Sequence, residues 1–431
     1  MKILGKWILI VLLVLTFIMV FNTLCLAKTE VTLWTIAAER RDEVFKNKII
    51  PEFQKEYPDI EINYQTYPDA DYKEKLLAAM SADRGPDITW ANIPFLMEMG
   101  FARPIPESLV TDEYMEENYL PGKDYKYKGE RYFIPTGTMG SILYYNKKIL
   151  QDAGIDPKTI GSTWEEAAET YKKLTDWNGN FLMQAGFAFN GMVPTLLGDY
   201  IRQQGKPPFV KTKEGDFKLD FNNDRTKQAI GYIKDLYDKY KVNSREFLNW
   251  NEALGTGKAA IVPWWTWGGS FLEATYPDLE WGTATRPRYK GTGPYGYCNE
   301  MDTVYFVTTS AKGEELEAAW KFWEFISMRD ENIRIICRGA GVIPLKKSLL
   351  DDPWISERPD FLTLKEQMLD PTGGQIFFGS AISRWSEALT KTAEEILYTG
   401  ADINSVLEKY EGYVNEDLEI SDYWILDLRE E

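Results

Sequence analysis

The stretch that decides the fold is residues 31–91, VTLWTIAAERRDEVFKNKIIPEFQKEYPDIEINYQTYPDADYKEKLLAAMSADRGPDITWA. Residues 31–35 alternate apolar with other side chains and predict a short strand. Residues 60–65 alternate in the same way and predict a second strand. A third strand is predicted over residues 88–91, directly after a Gly-Pro-Asp stop.

The segments between these strands predict helices. Apolar residues recur at helical spacing in the first segment, at Val44, Phe45, Ile49, Ile50, Phe53 and Tyr57. The second segment spans residues 72–82. A β-α-β-α-β order predicts a parallel sheet with helices on its faces. Ligands of such sheets bind beyond the carboxyl ends of the strands, so the residues that follow each strand are candidate contacts.

The remainder of the chain continues to alternate strands with helices. A capping-box pattern at Ser162–Glu166 starts one helix, and amphipathic spacing predicts others over residues 229–240, 316–326, 384–398 and 403–415. Strands are predicted over residues 259–262 and 303–307. A length of 431 residues favours two or three domains, and 44% hydrophobic residues are sufficient for packed cores.

Charge and histidine content exclude several classes of protein. The formal net charge is −17, which argues against nucleic-acid binding, because that affinity rests on clustered basic residues. The chain contains no histidine, so Ser-His-Asp triads and histidine zinc sites are impossible. We predict no metal site and no cofactor.

Residues 1–27 predict a secretory signal peptide. Lys2 and Lys6 precede an apolar run, and cleavage after Ala27 fits the small residues that end the segment. An uncleaved anchor and a lipoprotein attached at Cys25 are the alternatives. Without this segment the chain has 404 residues and a formal charge of −19. The cysteines left in it, Cys298 and Cys337, could pair or could be two buried thiols.

The densest aromatic cluster is PWWTWGG, residues 263–269, directly after the strand predicted over 259–262. Residues that follow a strand are candidate ligand contacts in sheets of this kind, and flat aromatic rings suit ligands with apolar faces. The chain has 15 Trp and 25 Tyr. Trp264, Trp265 and Trp267 are therefore candidate ligand contacts, although one or two of them could pack inside the domain instead.

Short motifs along the chain resemble the extracellular solute-binding proteins of ABC importers, in the sugar-binding branch that includes maltose-binding protein. The resemblance covers nearly all of the chain after residue 27. It rests on the order and spacing of IIPEF at 49–53, YP at 57–58, GPDI at 85–88, MGF at 99–101, IP at 134–135, LYYNK at 143–147, TWEE at 163–166, GKAA at 257–260 and GVIP at 341–344.

The resemblance implies an α/β protein with the two-lobed periplasmic-binding-protein fold. Each lobe would be a mainly parallel sheet flanked by helices, with the ligand cleft between the lobes. Lobe one would comprise residues 28–138 and 302–345, and lobe two residues 139–300 and 346–431. The chain would cross between the lobes near residues 136–140, 298–302 and 341–347, and closure would be a hinge motion.

Strand ends and the resemblance together give the candidate ligand contacts. Lobe one would supply Trp34, Glu39, Arg41, Tyr67, Trp90 and Asn92. Lobe two would supply the three cluster tryptophans, with Trp265 the best match to the stacking aromatic of the relatives, and also Arg384 and Trp385. Asn299 and Asp302 lie at the second crossing. Most of these residues also have a simpler interpretation. Glu39 and Arg41 could form a solvated helix start, and Trp34, Trp90 and Trp385 could belong to the core. Arg384 could pair with a surface carboxylate, and Asn299 and Asp302 could hydrogen-bond only to hinge backbone.

The predicted function is capture of a mono- or oligosaccharide without catalysis. The ligand would pass to the permease subunits of an ABC transporter, and the protein would be a monomer in the periplasm or at the cell surface. Two alternatives remain at this point. The ligand could be a polyamine, a phosphorylated polyol or another small solute. The chain could also be a secreted glycoside hydrolase, although no motif singles out its two carboxylates.

Overall fold

The computed structural model describes residues 28–90, 95–120, 123–205, 208–213, 216–293, 295, 298–299, 303–369, 376–377, 381–420 and 426–427. Two of the predicted contacts, Asn92 and Asp302, lie outside these residues, as does the predicted signal peptide. Among the helices within them, none is both long enough and apolar enough to cross a bilayer.

The strands of the described residues are short, apart from five of 7–10 residues in the two main sheets. They are β1 (Thr29–Ile36), β2 (Ile60–Tyr67), β3 (Ile88–Trp90), β4 (Gly137–Asn146), β5 (Asp176–Asn178), β6 (Phe181–Phe187), β7 (Phe209–Lys211), β8 (Phe217–Leu219), β9 (Ala259–Trp265), β10 (Trp281–Ala284), β11 (Cys298–Asn299), β12 (Tyr305–Val307), β13 (Ile343–Pro344), β14 (Ile376–Phe377) and β15 (Leu426–Asp427).

Helices connect most of the strands. They are α1 (Glu39–Val44), α2 (Ile50–Glu56), α3 (Asp69–Ser81), α4 (Phe95–Glu98), α5 (Asp112–Asn118), α6 (Lys147–Asp152), α7 (Trp164–Lys173), α8 (Val193–Arg202), α9 (Asp224–Asp238), α10 (Trp250–Gly255), α11 (Trp267–Thr275), α12 (Gly313–Ser327), α13 (Asp330–Ala340), α14 (Pro353–Ser356), α15 (Pro359–Leu369), α16 (Ile382–Ala393) and α17 (Ile403–Ile420), with π-helical turns at Phe45–Ile49 and Glu394–Tyr398 and 3-10 turns at Pro157–Thr159, Tyr289–Gly291 and Lys347–Leu349.

The first sheet has the strand order β12-β3-β1-β2. β1 is parallel to both of its neighbours, and β12 joins β3 antiparallel. The β-α-β-α-β prediction for residues 31–91 is confirmed. Because β1 connects to β2 on one side while β3 lies on its other side, the strand order reverses between β1 and β3. Such a switch point opens a crevice outside the carboxyl ends of the two strands.

The helix after β1 is interrupted by a π-helical turn. The Ile50 N–H donates to the carbonyl of Phe45, five residues back, and the next residue is Pro51, which has no N–H to continue an α-helical pattern. The turn joins α1 to α2 without a break in the helix. The short segment α1 is thereby held over the end of β1.

The second sheet corrects the expectation of a mainly parallel sheet in each lobe. Its order is β10-β4-β9-β6-β5, and only the β6–β9 pair is parallel. The physical reason is the direction in which β4 enters the sheet. β4 runs away from the crossing into the second sheet, so it lies antiparallel to β9, whose carboxyl end points back toward the crossing.

The three predicted crossings meet on one strand. The first residues of β4 pair antiparallel with β13 at Gly137 and Thr138 and with β11 at Met139 and Gly140. Gly137 is tightly enclosed here, since a Cβ at this position would lie 2.6 Å from Thr303 Oγ1. The crossings therefore form a small hydrogen-bonded ribbon rather than separate tethers.

Buried side chains form a separate cluster around each sheet and a third cluster near the crossings. The third cluster includes Val262 and Trp264 of β9 together with Cys337 and Ile343 from the segment that leads into and forms β13. The Cys337 thiol lies 3.7 Å from the carbonyl oxygen of Thr136. The two sheets are therefore joined by packed apolar contacts as well as by backbone, and the lobe boundaries given above remain predictions.

We predict that Gly137→Ala destabilises the protein. The added methyl would also approach Val342 Cγ2 at 2.9 Å and Cys337 Sγ at 3.0 Å, and overpacking of this kind costs about 1–3 kcal/mol. Urea denaturation measures the loss. The matched control is Gly412→Ala in α17, where a methyl meets nothing within 4 Å and should stabilise the helix by about 0.5–1 kcal/mol. A wild-type midpoint for Gly137→Ala would contradict the tight packing of the crossing.

Candidate functional site

Aromatic side chains gather at the carboxyl edge of the first sheet. The ring centroids of Trp34 and Tyr67 are 4.8 Å apart, and Tyr72 of α3 lies 6.3 Å from both Tyr67 and Trp90. Trp34 and Trp90 are almost entirely buried, whereas Tyr67 is half-buried. Of these predicted contacts, Tyr67 is the one whose ring is most accessible.

The Tyr72 hydroxyl connects the strand ends. It lies 2.9 Å from the carbonyl oxygen of Trp34, 2.8 Å from that of Trp90 and 2.6 Å from Thr89 Oγ1. Burial raises the pKa values of Tyr67 and Tyr72 above the ordinary tyrosine value. Both phenols are therefore neutral near pH 7, and the Tyr67 hydroxyl donates to Gln65 Oε1 over 2.6 Å.

The start of α1 lies over the same edge. Glu39 is exposed, as its simpler interpretation expects, but Arg41 is buried. The Arg41 guanidinium donates to the carbonyl of Ile36 at the end of β1, and its carbon is 5.1 Å from the ring centroid of Trp90 at the end of β3. Arg41 therefore occupies the crevice at the switch point between these two strands.

The tryptophans of the second sheet are separated by strand geometry. β9 continues through Trp265, three residues beyond its predicted end, so successive side chains point to opposite faces. Trp264 is completely buried, with its ring 5.4–6.0 Å from those of Tyr144, Trp250, Trp267 and Phe271. Trp264 is thus placed in the core, and Trp265 is left half-buried on the other face.

Trp265 lines a pocket of about 160 Å³ between β9, α8 and α16. Trp385 forms a second aromatic wall. The remaining lining residues are Pro194, Thr195, Gly198, Asp199, Arg202, Ser386, Leu389 and Thr390. Two indoles with hydroxyl, carboxylate and guanidinium groups between them suit a ligand that has apolar faces and many hydroxyls.

A buried ion pair lies next to this pocket, and one member of it, Asp199, belongs to the lining. The Arg286 guanidinium binds the Asp199 carboxylate and Ser141 Oγ, and both charged side chains are fully buried. The Arg286 backbone N–H donates to Gln367 Oε1 over 2.9 Å. Ser141 is the register partner of Trp265, so the pair holds α8 in place relative to the strand end that carries the indole.

Trp385 and Arg384 diverge at the start of α16. Trp385 is 4% exposed and belongs to the buried cluster of the second sheet, as its core interpretation expects, although its side chain also lines the pocket. It packs edge-on against Phe221, at 5.3 Å between ring centroids. Arg384 binds Asp417 over 2.7 Å and Glu387 over 3.2 Å. Its guanidinium therefore faces α17, in agreement with the simpler interpretation as a partner of surface carboxylates.

Elements of the two sheets also touch near the crossings. Arg40 of α1 lies 3.7 Å from Glu273 of α11, and Arg358 holds the same Glu273 oxygen from the other side at 3.3 Å. Trp267, 37% exposed, begins α11, and its Cα is 3.6 Å from the position of a Cβ on Gly341. Trp267 thus lies against the third crossing and not in the pocket of Trp265.

The structure brings the predicted residues together in two groups. Trp34, Arg41, Tyr67 and Trp90 share the edge of the first sheet, and Trp265 and Trp385 share the pocket of the second. For Asn299 the structure gives only backbone pairing, with Met139.

Asp199 and Arg202 line this pocket but are not among the contacts predicted from the sequence. The sequence carries one sign of them, because they are two charged residues three apart in a segment, 193–202, that is otherwise uncharged. Among the described residues, no group of three or more metal-ligating side chains could hold an ion.

Comparison with known proteins gives matches over most of the chain. The family described as "Bacterial extracellular solute-binding protein" matches residues 48–363. The arabinooligosaccharide-binding protein of Halalkalibacterium halodurans is 26% identical over 77% of this chain and 75% of its own length. The maltotriose-binding protein of Pyrococcus abyssi is 27% identical over 77% of this chain and 69% of its own.

A solved structure shows the same fold. The maltose/maltodextrin-binding domain from Bdellovibrio bacteriovorus bound to maltotriose superimposes with a TM-score of 0.73 at 19% identity, over 90% of this chain and 100% of that one. The predicted α/β, two-lobed periplasmic-binding-protein fold is therefore confirmed.

We predict opposite roles in stability for the adjacent indoles of β9. Trp264→Ala should lower the free energy of unfolding by about 3–5 kcal/mol, because it leaves a cavity in the core. Trp265→Ala should cost less than about 1.5 kcal/mol, since its ring already meets solvent. Urea denaturation of both variants tests this. Equal losses would show that Trp265 is as much a core residue as Trp264.

Proposed function

The chain belongs to the bacterial extracellular solute-binding proteins, and from this premise we propose that it captures a mono- or oligosaccharide in the groove between its lobes. The observation that carries the proposal is the pocket that both Trp265 and Trp385 line, together with Asp199 of the buried Asp199–Arg286 pair. The names of the two relatives above support a saccharide over a polyamine or a phosphorylated polyol.

Affinity would come from indole faces and paired hydroxyls. Each indole would cover the C–H face of a sugar ring, and the hydroxyl groups of Thr195, Ser386 and Thr390 nearby would replace the water bound to its edge. The volume of about 160 Å³ is small for a whole ligand site, which typically measures about 300–1,000 Å³. We infer that the first sheet, with Tyr67 and Arg41, completes the site when the lobes close.

Closure would be a rotation about the ribbon of crossings. Lobe one would comprise residues 28–138 and 302–345, and lobe two 139–300 and 346–431. A ligand that contacts both lobes only in the closed form shifts the equilibrium toward that form by its differential affinity. Contacts near the crossings, such as Arg40 with Glu273, would add to the stability of the closed form.

The cellular role follows from the family. An extracellular solute-binding protein acts in the periplasm or at the cell surface, and we propose that this chain reaches it through the signal peptide 1–27, cleaved after Ala27. There it would act as a monomer and deliver sugar to the permease subunits of an ABC transporter. Its relatives are binding proteins, which supports our proposal that it does not catalyse hydrolysis.

We predict that Trp265→Ala weakens sugar binding by about 10- to 150-fold, the loss expected when a buried aromatic contact of about 1.5–3 kcal/mol is removed. A thermal-shift screen of arabino-, malto- and mannooligosaccharides identifies a ligand, and titration calorimetry measures it. The control is Trp177→Ala on the β5–β6 hairpin, which does not line the pocket and should bind like wild type. Unchanged affinity for Trp265→Ala would remove the pocket from the site.

We predict that Arg40→Glu speeds ligand release about two- to fivefold, because an exposed ion pair contributes about 0.2–1 kcal/mol and the variant sets two carboxylates opposite each other. Stopped-flow measurement of the dissociation rate at low salt detects this. The double variant Arg40→Glu/Glu273→Arg should restore a rate near that of wild type. No recovery in the double variant would mean that the pair does not act across the lobes.

A further inference from the structure

Arg41 is a buried cation without a carboxylate partner in the described part of the chain. Its side chain is 4% exposed, and it makes one hydrogen bond there, to the carbonyl of Ile36. The Nε atom is buried and has no hydrogen-bond partner. A guanidinium has five N–H donors and carries its charge throughout the accessible pH range, so most of its capacity is unused.

Two other buried arginines of the described residues are paired with carboxylates. Arg131 binds Asp124 and Asp112, and Arg286 binds Asp199. Arg358, which is partly buried, binds Asp360 over 2.6 Å. These arginines show the usual solution, because a buried charge is costly unless an opposite charge and hydrogen bonds compensate it. Arg41 departs from this pattern.

Nearby groups compensate the Arg41 charge only in part. The Trp90 ring at 5.1 Å offers a cation–π contact. The adjacent Asp42 carboxylate is already occupied, since it accepts from the Tyr64 hydroxyl over 2.7 Å and from the Ala38 N–H over 3.1 Å. Glu39 is exposed to solvent. The remaining N–H donors of Arg41 therefore have no acceptor among the described residues.

The position of Arg41 is that of a ligand contact. Its guanidinium lies between the carboxyl ends of β1 and β3, the adjacent strands between which the strand order reverses. The preceding residue of α1, Arg40, lies 3.7 Å from Glu273 of α11, which packs near the second sheet, so this edge faces the other lobe. Anything held against Arg41 would be enclosed between the lobes.

We propose that the ligand is an acidic saccharide, with a carboxylate that binds Arg41. This inference rests on the proposed sugar-binding function and specifies the substrate class. Arg and carboxylate pair through two parallel N–H···O bonds, which would use the idle donors and neutralise the buried charge. The indole pocket of Trp265 and Trp385 would hold a sugar ring of the same ligand.

The test compares saccharides that differ in one group. The pairs are D-galacturonate with D-galactose, D-glucuronate with D-glucose, and digalacturonate with galactobiose, with glucose 6-phosphate as a separate arm for phosphate. We expect wild type to bind the acidic member of at least one pair ten times more tightly or better. Arg41→Gln should weaken binding of the acidic saccharide about 10- to 150-fold, the loss expected when hydrogen bonds to a charged group are removed. The affinity for the neutral member of the pair should stay within threefold of the wild-type value. Arg84→Gln, an exposed arginine, is the control.

A second measurement needs no ligand. Removing an uncompensated buried charge should not weaken the unliganded protein, so Arg41→Met should unfold at the same urea concentration as wild type or a higher one. A lower midpoint would assign Arg41 a structural role and overturn the inference.

The binding panel separates the two proposals. Tight binding of neutral sugars alone would leave the sugar-binding function intact and overturn the acidic ligand. A preference for glucose 6-phosphate over both glucose and glucuronate would replace carboxylate by phosphate and also overturn it. Failure of all saccharides, in this panel and in the oligosaccharide screen, would overturn both proposals.

Discussion

Backbone pairing along one strand, Gly137–Asn146, is the constraint on which the rest of the structure depends. Its first residues pair with two other crossing segments, and its later residues pair with β9 and β10. The same strand therefore builds the connection between the lobes and positions Trp265, through its register with Ser141. A change in the pairing of the crossings would be transmitted along the strand to the indole pocket.

The two walls of the groove have different chemistry. The first sheet presents a half-buried phenol and a buried guanidinium at its carboxyl edge, and the second presents indoles above a neutralised ion pair. In the proposed site, both walls combine aromatic rings with polar groups, and the first wall adds the buried charge of Arg41. A ligand with polar and apolar surfaces would contact both walls only when the lobes are closed. Selectivity would therefore depend on closure.

Periodicity in the sequence was sufficient for the first sheet, because its strands and helices follow from local patterns of apolar residues. Periodicity did not predict the features that depend on pairing between distant strands. The pattern of apolar residues predicts a strand over 259–262, but pairing with β4 extends the strand to Trp265. In the extended strand the side chain of Trp264 lies in the core. The mixed second sheet depends likewise on the direction of β4. The roles of Asp199 and Arg202 depend on elements that meet only after folding.

The alternation of Trp264 and Trp265 has an optical consequence. Indole emission moves to shorter wavelength when water leaves its surroundings. Trp264 is already sealed from water, whereas Trp265 is half-exposed beside charged groups in the pocket. Trp385, which also lines the pocket, is only 4% exposed, so a solute that fills the pocket would remove water mainly from Trp265. The intrinsic fluorescence of the unlabelled protein would therefore report occupancy of the pocket.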